Sequence, residues 1–497
     1  MIENRDLNKD LKQLDKILKD NGISRRDAMK MMGLSGAALF AGGTELEAAT
    51  VANASEAKGK IVIIGGGLAG ISTAARITNN LSNPDITILE PNELSTGYQP
   101  GQTLVGGGIW DKQELIYHRD DYIPNGTKLI KEKVMEVDAP NNTITTESGT
   151  KISYDFLVVA CGLKLNYAGI KGLEEAGEAY STGDNSKLVE ILNAKGVSSI
   201  YTADGSEATW TNMQAFIAKA KSGQKVNGVF THPNTSIKCG GAHKKIMYLT
   251  DARLREAGVR DNANLHFYPN GNTMFGIQDY HDAIVKQYEQ RDMKWSYNHN
   301  LTEIKNGTAI FDHHKQEKGA YDEDLEEYEM ITTHEDVEVP FDFIHVTPPM
   351  KAPDEIANSS VGSRKGWVPV NQETLQHVKF PNVFALGDIA AVPMGKTGGS
   401  VRKQYKVLVN NLISMMETGS IPATNAKYDG YTVCPLITSL SSVMLAEFNW
   451  ASKDLGSGKN AALLSFLDPT KERYMWYLLK VYLLKPMTQY GMLAGKA

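Results

Sequence analysis

Cysteine is scarce in this chain: there are three in 497 residues, at positions 161, 239 and 434. Three cysteines cannot build a disulfide scaffold, and no zinc-type Cys/His spacing accompanies them, so no metal ligand set is assigned. No apolar run reaches the roughly 18–20 residues that a membrane-crossing helix needs. The net charge is only -6, so nothing global argues for a nucleic-acid partner. No repeat of solenoid period is visible either. What remains is a chain of ordinary composition, long enough for two or three domains with cores of their own.

Residues 1–58 are unlike the rest. Residues 1–22 are polar and charged and would not hold a core alone. Ser24-Arg25-Arg26-Asp27 follows, then a short apolar run over 33–41, then small residues up to about Lys58. A basic pair, a short weakly apolar run and small residues have the logic of an export signal. The paired arginines select the twin-arginine route, which carries folded, cofactor-loaded proteins. The expectation is a protein on the periplasmic face of the inner membrane, cleaved between Ala49 and Ala57. The bland alternative is an amphipathic helix with adjacent arginines.

Lys60-Ile61-Val62-Ile63-Ile64 reads as a buried parallel strand. Gly65-Gly66-Gly67-Leu68-Ala69-Gly70 follows at once and leads into a helical stretch up to Leu81. This is G-x-G-x-x-G in the context that gives it meaning. Gly65 allows the tight turn, Gly67 the approach of a pyrophosphate, and Gly70 close packing of helix on strand. Asp85 to Leu89 reads as the second strand. Glu90 ends it and should accept from ribose hydroxyls.

A second strand-and-turn, Asn382-Val383-Phe384-Ala385-Leu386-Gly387-Asp388, precedes a helix-like run from about Gly398. An acid there can accept from ribityl hydroxyls. The segment resembles the second FAD motif of the two-dinucleotide-binding-domain flavoproteins. The stretch 155–162, ending in Cys161-Gly162, resembles their crossing between domains. Between Gly162 and Pro340 no second full glycine loop occurs. The candidate strand 228–231 runs into His232-Pro233-Asn234, and Pro269-Asn270-Gly271-Asn272 is a plain turn. The electron partner is therefore not expected to be NAD(P)H.

Longer, less generic strings carry a closer resemblance. They are Tyr98-Gln99-Pro100 with 103–106, Pro233 to Ala242 running on into Lys244-Lys245, and Tyr428 to Leu436 with Leu445-Ala446-Glu447-Phe448 beyond. From Lys60 onward the chain resembles the sulfide:quinone oxidoreductases, and is closest to the branch that includes the mitochondrial enzyme. The resemblance implies an FAD enzyme that oxidises sulfide at two redox cysteines and passes electrons to a membrane quinone. Sulfur would leave as a polysulfide or persulfide. Cys239 matches the first cysteine. Its setting of Lys238, Gly240, Gly241, Lys244 and Lys245 should favour a reactive thiolate.

By the same resemblance the second cysteine should follow Gly387-Asp388, where this chain has Ile389. Three outcomes stay open: Cys239 acting alone, Cys239 paired with Cys434 or Cys161, or loss of sulfide activity with another donor. Cys161 reads as structural and Cys434 as a core residue. Either could substitute only with Cα atoms under about 7 Å from Cys239. Lys396, in Lys396-Thr397-Gly398-Gly399, is a cation that could stabilise charge on reduced flavin. Gln404, on the following helix, is a candidate hydrogen-bonding partner of the ring. His345 reads as a buried, hydrogen-bonded histidine, and His313-His314 as an exposed loop.

Near the end, Asp468 to Glu472 looks like a helix start. The run from Arg473 to Met487 is rich in Tyr, Trp, Leu and Met. Pro486 should end or kink the helix. The pattern fits a helix lying in a membrane interface, with Lys480 and Lys485 snorkelling outward. Tyr431, Phe448, Met475 and Tyr482 are candidate quinone-lining residues.

The fold class expected is α/β, two Rossmann-like dinucleotide-binding domains plus a C-terminal membrane-facing segment. The expected layout is a signal and linker over 1–58 and an FAD domain made of 59–161 and 365–415. A central Rossmann-like domain over 162–364 lies between those two parts, and the quinone-site segment covers 416–497. A soluble flavoprotein feeding a cytochrome c is the alternative electron route. Association of identical chains is left open.

Overall fold

The strand-forming runs singled out above assemble into two parallel sheets of the same kind. The computed structural model describes residues 54–95, 98–322, 327–450 and 467–497. The twin-arginine segment lies outside the described residues. In the first sheet the order is Val383–Ala385, Phe156–Val159, Lys60–Ile64, Asp85–Leu89, Lys128–Ile130, all parallel. The runs are short, and the inner strands Phe156–Val159, Lys60–Ile64 and Asp85–Leu89 are rich in Ile and Val and buried over most of their length, as parallel strands covered by helices must be, whereas the edge strand Lys128–Ile130 is only half-buried. The glycine-loop helix Leu68–Thr78 and the long helix Gly398–Thr418 pack against each other beside this sheet.

The second sheet runs Val197–Ser198, Phe343–His345, Val226–His232, Ala263–Pro269, Lys294–Trp295, again all parallel. Helix Ala203–Lys221 starts with Thr202 capping the Gly205 N–H, and helix Ala242–Glu256 follows the central strand. Each sheet has its own apolar core. The chain passes from the first sheet to the second and returns for Val383–Ala385, so the C-terminal ends of both sheets can face one junction. Ligands of open parallel sheets bind at such ends.

Two expectations are corrected here. His313 and His314 are not loop residues. They lie in the strand Thr308–Asp322, paired antiparallel with Glu327–Pro340, where His313 faces Glu335 and His314 faces His334. Cross-strand pairing over a long hairpin satisfies a charged segment that, alone, reads as solvated loop. The tail also differs. Asp468–Lys471 is a turn, and Glu472–Arg473 is a strand edge on Val443–Phe448. The helix begins at Tyr474 and turns π-helical over Leu479–Leu483. Pro486 does not end it, because a further π-helical stretch, Met487–Met492, carries on. Wider π turns leave room for a residue that donates no N–H.

Candidate active site

At the first sheet's end the chain turns from strand to helix at Gly65, whose φ is +106°. A side chain at Gly70 would put its Cβ 1.8 Å from the Gly65 carbonyl oxygen, so only glycine lets helix and strand meet. Gly67 faces open space, with no atom within 4 Å of where a Cβ would stand. That gap at a helix N-terminus is what a pyrophosphate needs. Glu90 ends its strand beside the loop. One carboxylate oxygen accepts from the Gly66 N–H at 2.9 Å, and the other from Asn92. Arg119 clamps the same loop, donating to the Gly66 carbonyl at 2.8 Å and to Asn92 and Leu94 carbonyls. Sequence reading missed Arg119, since nothing in its own neighbourhood marks it.

The Gly387-Asp388 turn arrives at this loop: a Cβ on Gly387 would lie 3.3 Å from that of Ala69. Gln404 accepts from the Gly387 N–H at 2.9 Å, and its own buried amide nitrogen lies toward Tyr428. Burial raises the Asp388 carboxyl pKa, against the opposing pull of Lys238 and Lys396. Lys396 bends back onto the Asp388 and Ala390 carbonyls and lies 3.9 Å from the Trp367 ring centre. Burial lowers its pKa to about 8. An open glycine cradle, a carboxylate at the ribose end and a buried helix amide bonded to the Gly-Asp turn fit a flavin dinucleotide.

In the second sheet, the loop between central strand and helix is where a second glycine loop would stand. Here it carries Cys239-Gly240-Gly241. Cys239 holds φ +73°, a left-handed conformation that costs a non-glycine residue of order 1–3 kcal/mol. Its N–H donates to the Lys396 carbonyl at 3.1 Å, tying the cysteine loop to the Gly-Asp segment. Its sulfur lies 3.9 Å from that of Cys434, on the strand Thr432–Ile437. Gly241 makes the approach feasible, because a Cβ there would sit 2.8 Å from the Cys434 sulfur.

Of the outcomes left open by Ile389, the geometry favours the one that sets Cys434 against Cys239. Ile389 is 0% exposed and packs in the first sheet's apolar core, while Cys434 stands beside Cys239. Cys161 plays no such part. It packs with the first sheet's core next to Gly65, and burial pushes its thiol up to about 12.

The two sulfurs are inequivalent. The Cys434 thiol donates to Cys239, and Lys245 approaches the Cys239 sulfur at 3.2 Å; together they hold the Cys239 thiol well below the usual range. The Cys434 thiol is pushed up by donating that hydrogen bond and by burial. Of the two sulfurs, Cys239 is the one whose thiolate is favoured in the reduced protein. Lys245→Met should move the pH midpoint of Cys239 alkylation upward, toward the ordinary thiol value of about 8.5. Iodoacetamide labelling followed by peptide mass spectrometry measures it, and an unmoved midpoint would remove Lys245 from this role.

Comparison with known proteins gives this geometry its relatives. Residues 59–199 match the family model for pyridine nucleotide-disulphide oxidoreductases. The mitochondrial sulfide:quinone oxidoreductase of Mus musculus is 36% identical over 422 residues, covering 85% of this chain and 83% of that one. The corresponding Dictyostelium discoideum protein is 37% identical over 441 residues, covering 88% and 86%. This chain belongs to the sulfide:quinone oxidoreductase family. It is an oxidoreductase, and its relatives imply a flavin cofactor. The sulfide:quinone oxidoreductase structure from Aquifex aeolicus shares the fold, with a TM-score of 0.60 at 20% identity over 79% of this chain and 84% of that one.

This family member folds its tail back onto its own body. The reading of Lys480 as a snorkelling charge is corrected: the side chain is 0% exposed, and its charge lies within electrostatic reach of Cys239 and Cys434. Lys485 pairs with Glu114 at 2.7 Å. A π-helical turn shifts the face that each residue presents, so a phase counted at 3.6 residues per turn misplaces Lys480. Further on, Asn79 donates to the Ala494 carbonyl, and Tyr405 donates to Ala497. His345 is fully buried, and its Nε2 faces the Ile200 N–H at 3.4 Å. Tyr431 and Phe448 are buried, Tyr431 donating to Glu447, whereas Tyr482 is exposed and Met475 half-buried.

Proposed function

We propose that the protein oxidises sulfide to sulfane sulfur, a polysulfide or persulfide, using FAD as cofactor and a membrane quinone as electron acceptor. The observation that carries this reading is the Cys239–Cys434 pair, 3.9 Å apart and tied through Lys396 to the Gly-Asp turn. FAD, when bound, would take two electrons from the sulfur site and deliver them to quinone. Gly65, Gly67 and Gly70 would hold its pyrophosphate end and Glu90 its ribose. Gly387, Asp388 and Gln404 would hold the ribityl and ring region.

The cysteines divide the sulfur chemistry between them. In the oxidised state they are bridged, either directly or through one intervening sulfur atom. Two bonds of about 2.05 Å through one intervening sulfur come close to spanning the observed 3.9 Å, whereas a direct bond requires the two sulfurs to close together. Hydrosulfide attacks the Cys434 side of the bridge, and Cys239 departs as thiolate, because the thiol of lower pKa leaves faster. Lys245 receives the negative charge that develops. The reading with another donor rested on Ile389 and loses its motive once Cys434 supplies the second sulfur.

Membrane contact belongs to the same reading. Among the described residues no helix is long and apolar enough to cross a membrane. Tyr474, Tyr482 and Tyr490 are exposed along the tail, which suits peripheral contact at headgroup depth. A narrow crevice between the tail and the glycine-loop helix is lined by Leu68, Tyr98, Leu115 and Leu493 beside the Glu114–Lys485 pair, and would have to widen to admit a quinone ring. Export by the twin-arginine route would put this surface on the periplasmic face of the inner membrane.

Anaerobic stopped-flow tests the proposal. Sulfide should bleach the flavin of the purified holoprotein, and a soluble quinone should restore its colour. A flavin that stays oxidised in excess sulfide would refute the reading. Reoxidation by cytochrome c and not by quinone would redirect the electron route.

A further inference from the structure

The tail brings the sulfur pair one more charge than the chemistry above uses. Lys480 is 0% exposed, and its ammonium nitrogen has no hydrogen-bond partner among the described residues. The indole N–H of Trp476, one turn earlier, is likewise buried and unpartnered. The charges that act on Lys480 are those of Lys245, Cys239 and Cys434, with no carboxylate among them. The neighbouring lysines are satisfied. Lys245 reaches the Cys239 sulfur, while Lys244 donates to the Gly240 carbonyl at 3.2 Å and lies 2.8 Å from His243 Nε2. A buried ammonium without an acceptor is costly, and it is tolerable where an anion answers it. The π-helical turn that carries Lys480 is itself a feature frequent at functional sites.

Charge counting shows when the anion would come. With the cysteines reduced, the Cys239 thiolate answers Lys245 and Lys480 together. With the cysteines bridged, that negative charge is gone, and two ammonium groups face a neutral bridge. The site is then most positive in the state that must admit a nucleophile. Burial lowers the Lys480 ammonium pKa to about 7, so its charge responds readily to an incoming anion.

We propose that Lys480 is the docking site for the hydrosulfide anion, holding it against the Cys434 sulfur while the bridge is closed. This rests on the sulfide-oxidising reading. The docked sulfur forms a bond to the Cys434 sulfur, and the bridge bond breaks. Its electron pair leaves on Cys239, and the hydrosulfide proton stays on the terminal sulfur of the new persulfide. No further oxidant or reductant enters this step. Lys245 serves the leaving sulfur and Lys480 the entering one.

The test uses the holoprotein and its Lys480→Met and Lys480→Arg variants, in two arms. In the first, sulfide is varied and flavin bleaching followed. Lys480→Met should raise the half-saturating sulfide concentration about 10-fold or more, as loss of one nearby charge in a shielded site implies. The limiting rate should change by less than about threefold, the mark of lost ground-state binding. Lys480→Arg should recover most of the loss.

The second arm needs no turnover. The oxidised protein is opened with sulfite, an anionic nucleophile, or with a neutral trialkylphosphine, and free thiols are counted by mass spectrometry. Lys480→Met should slow sulfite about 10-fold and leave the phosphine within about twofold. Equal slowing of both reagents, or of neither, overturns the proposal, as does an unchanged half-saturation beside a lowered limiting rate. If sulfide fails to bleach the wild-type flavin, the activity reading falls. The sulfite-to-phosphine ratio then still decides whether Lys480 receives small anions.

Discussion

Serine in place of Cys434 is expected to lower sulfide-dependent flavin reduction by about 10³-fold or more, because a covalent route is removed and not merely slowed. The substitution is close to isosteric on a buried strand. It lies away from the glycine loop and the Gly-Asp turn, so the flavin should stay bound at full occupancy. Serine can still donate a hydrogen bond to the Cys239 sulfur, and Lys245 remains 3.2 Å from it. The acidity of Cys239 is thereby largely kept, which separates loss of the bridge from loss of the thiolate. Cys239 should become alkylatable without prior reduction, at one equivalent per chain. Flavin bleaching within about tenfold of wild type would mean that Cys239 carries sulfur alone, the single-cysteine route that Ile389 suggested.

The cysteine pair also shows where a linear sequence stops being informative. The glycine loop is legible because its residues are consecutive and each has one mechanical duty, and Glu90 follows at a spacing set by one helix and one strand. Cys434 is 195 positions from Cys239, and its neighbours Val433 and Pro435-Leu436 look like any buried strand. Only the packing of strand Thr432–Ile437 against helix Ala242–Glu256 brings the sulfurs together. The position after Gly387-Asp388 is close in sequence to the flavin turn, yet Ile389 packs into the core, and its identity alone could not say which other cysteine stands near Cys239. Lys244 and Lys245 adjoin the cysteine, so their sign could be used but their division of labour could not. One bonds to a carbonyl and a histidine, the other to sulfur.

The tail gave a subtler mismatch. Tyr, Trp, Leu and Met with isolated lysines is the composition of an interfacial helix, and of a helix folded over a buried charged site. Amphipathic phase cannot separate the two when π turns interrupt it. Tyr482 is exposed while Lys480, two residues before it, is wholly buried. The same few turns therefore present aromatic rings outward and a cation to the sulfur pair. Any contact of the outer face with a lipid surface would bear on the same backbone that positions Lys480.

Valine at Gly67 is expected to leave the fold intact and remove the flavin. Gly67 has φ −84° and ψ −168°, extended backbone that any residue can adopt. No atom stands within 4 Å of its missing Cβ. The branched side chain would then occupy the volume that a pyrophosphate must enter, and flavin affinity should fall about 100-fold or more, in line with the steric cost of filling a closely fitted space. Flavin-to-protein absorbance after gel filtration measures this directly. Melting temperature gives the complementary reading. A ligand present at about 1,000 times its dissociation constant stabilises by about 4 kcal/mol, so wild type should melt higher with added FAD and the variant should not respond. Apo wild type and the variant should melt together. Valine at Gly70 supplies the contrast. There the new Cβ would fall 1.8 Å from the Gly65 carbonyl, so the strand–helix junction itself must open and the protein should melt lower even without flavin. A Gly67→Val protein that keeps its yellow colour through gel filtration would place the flavin's phosphates elsewhere than this loop.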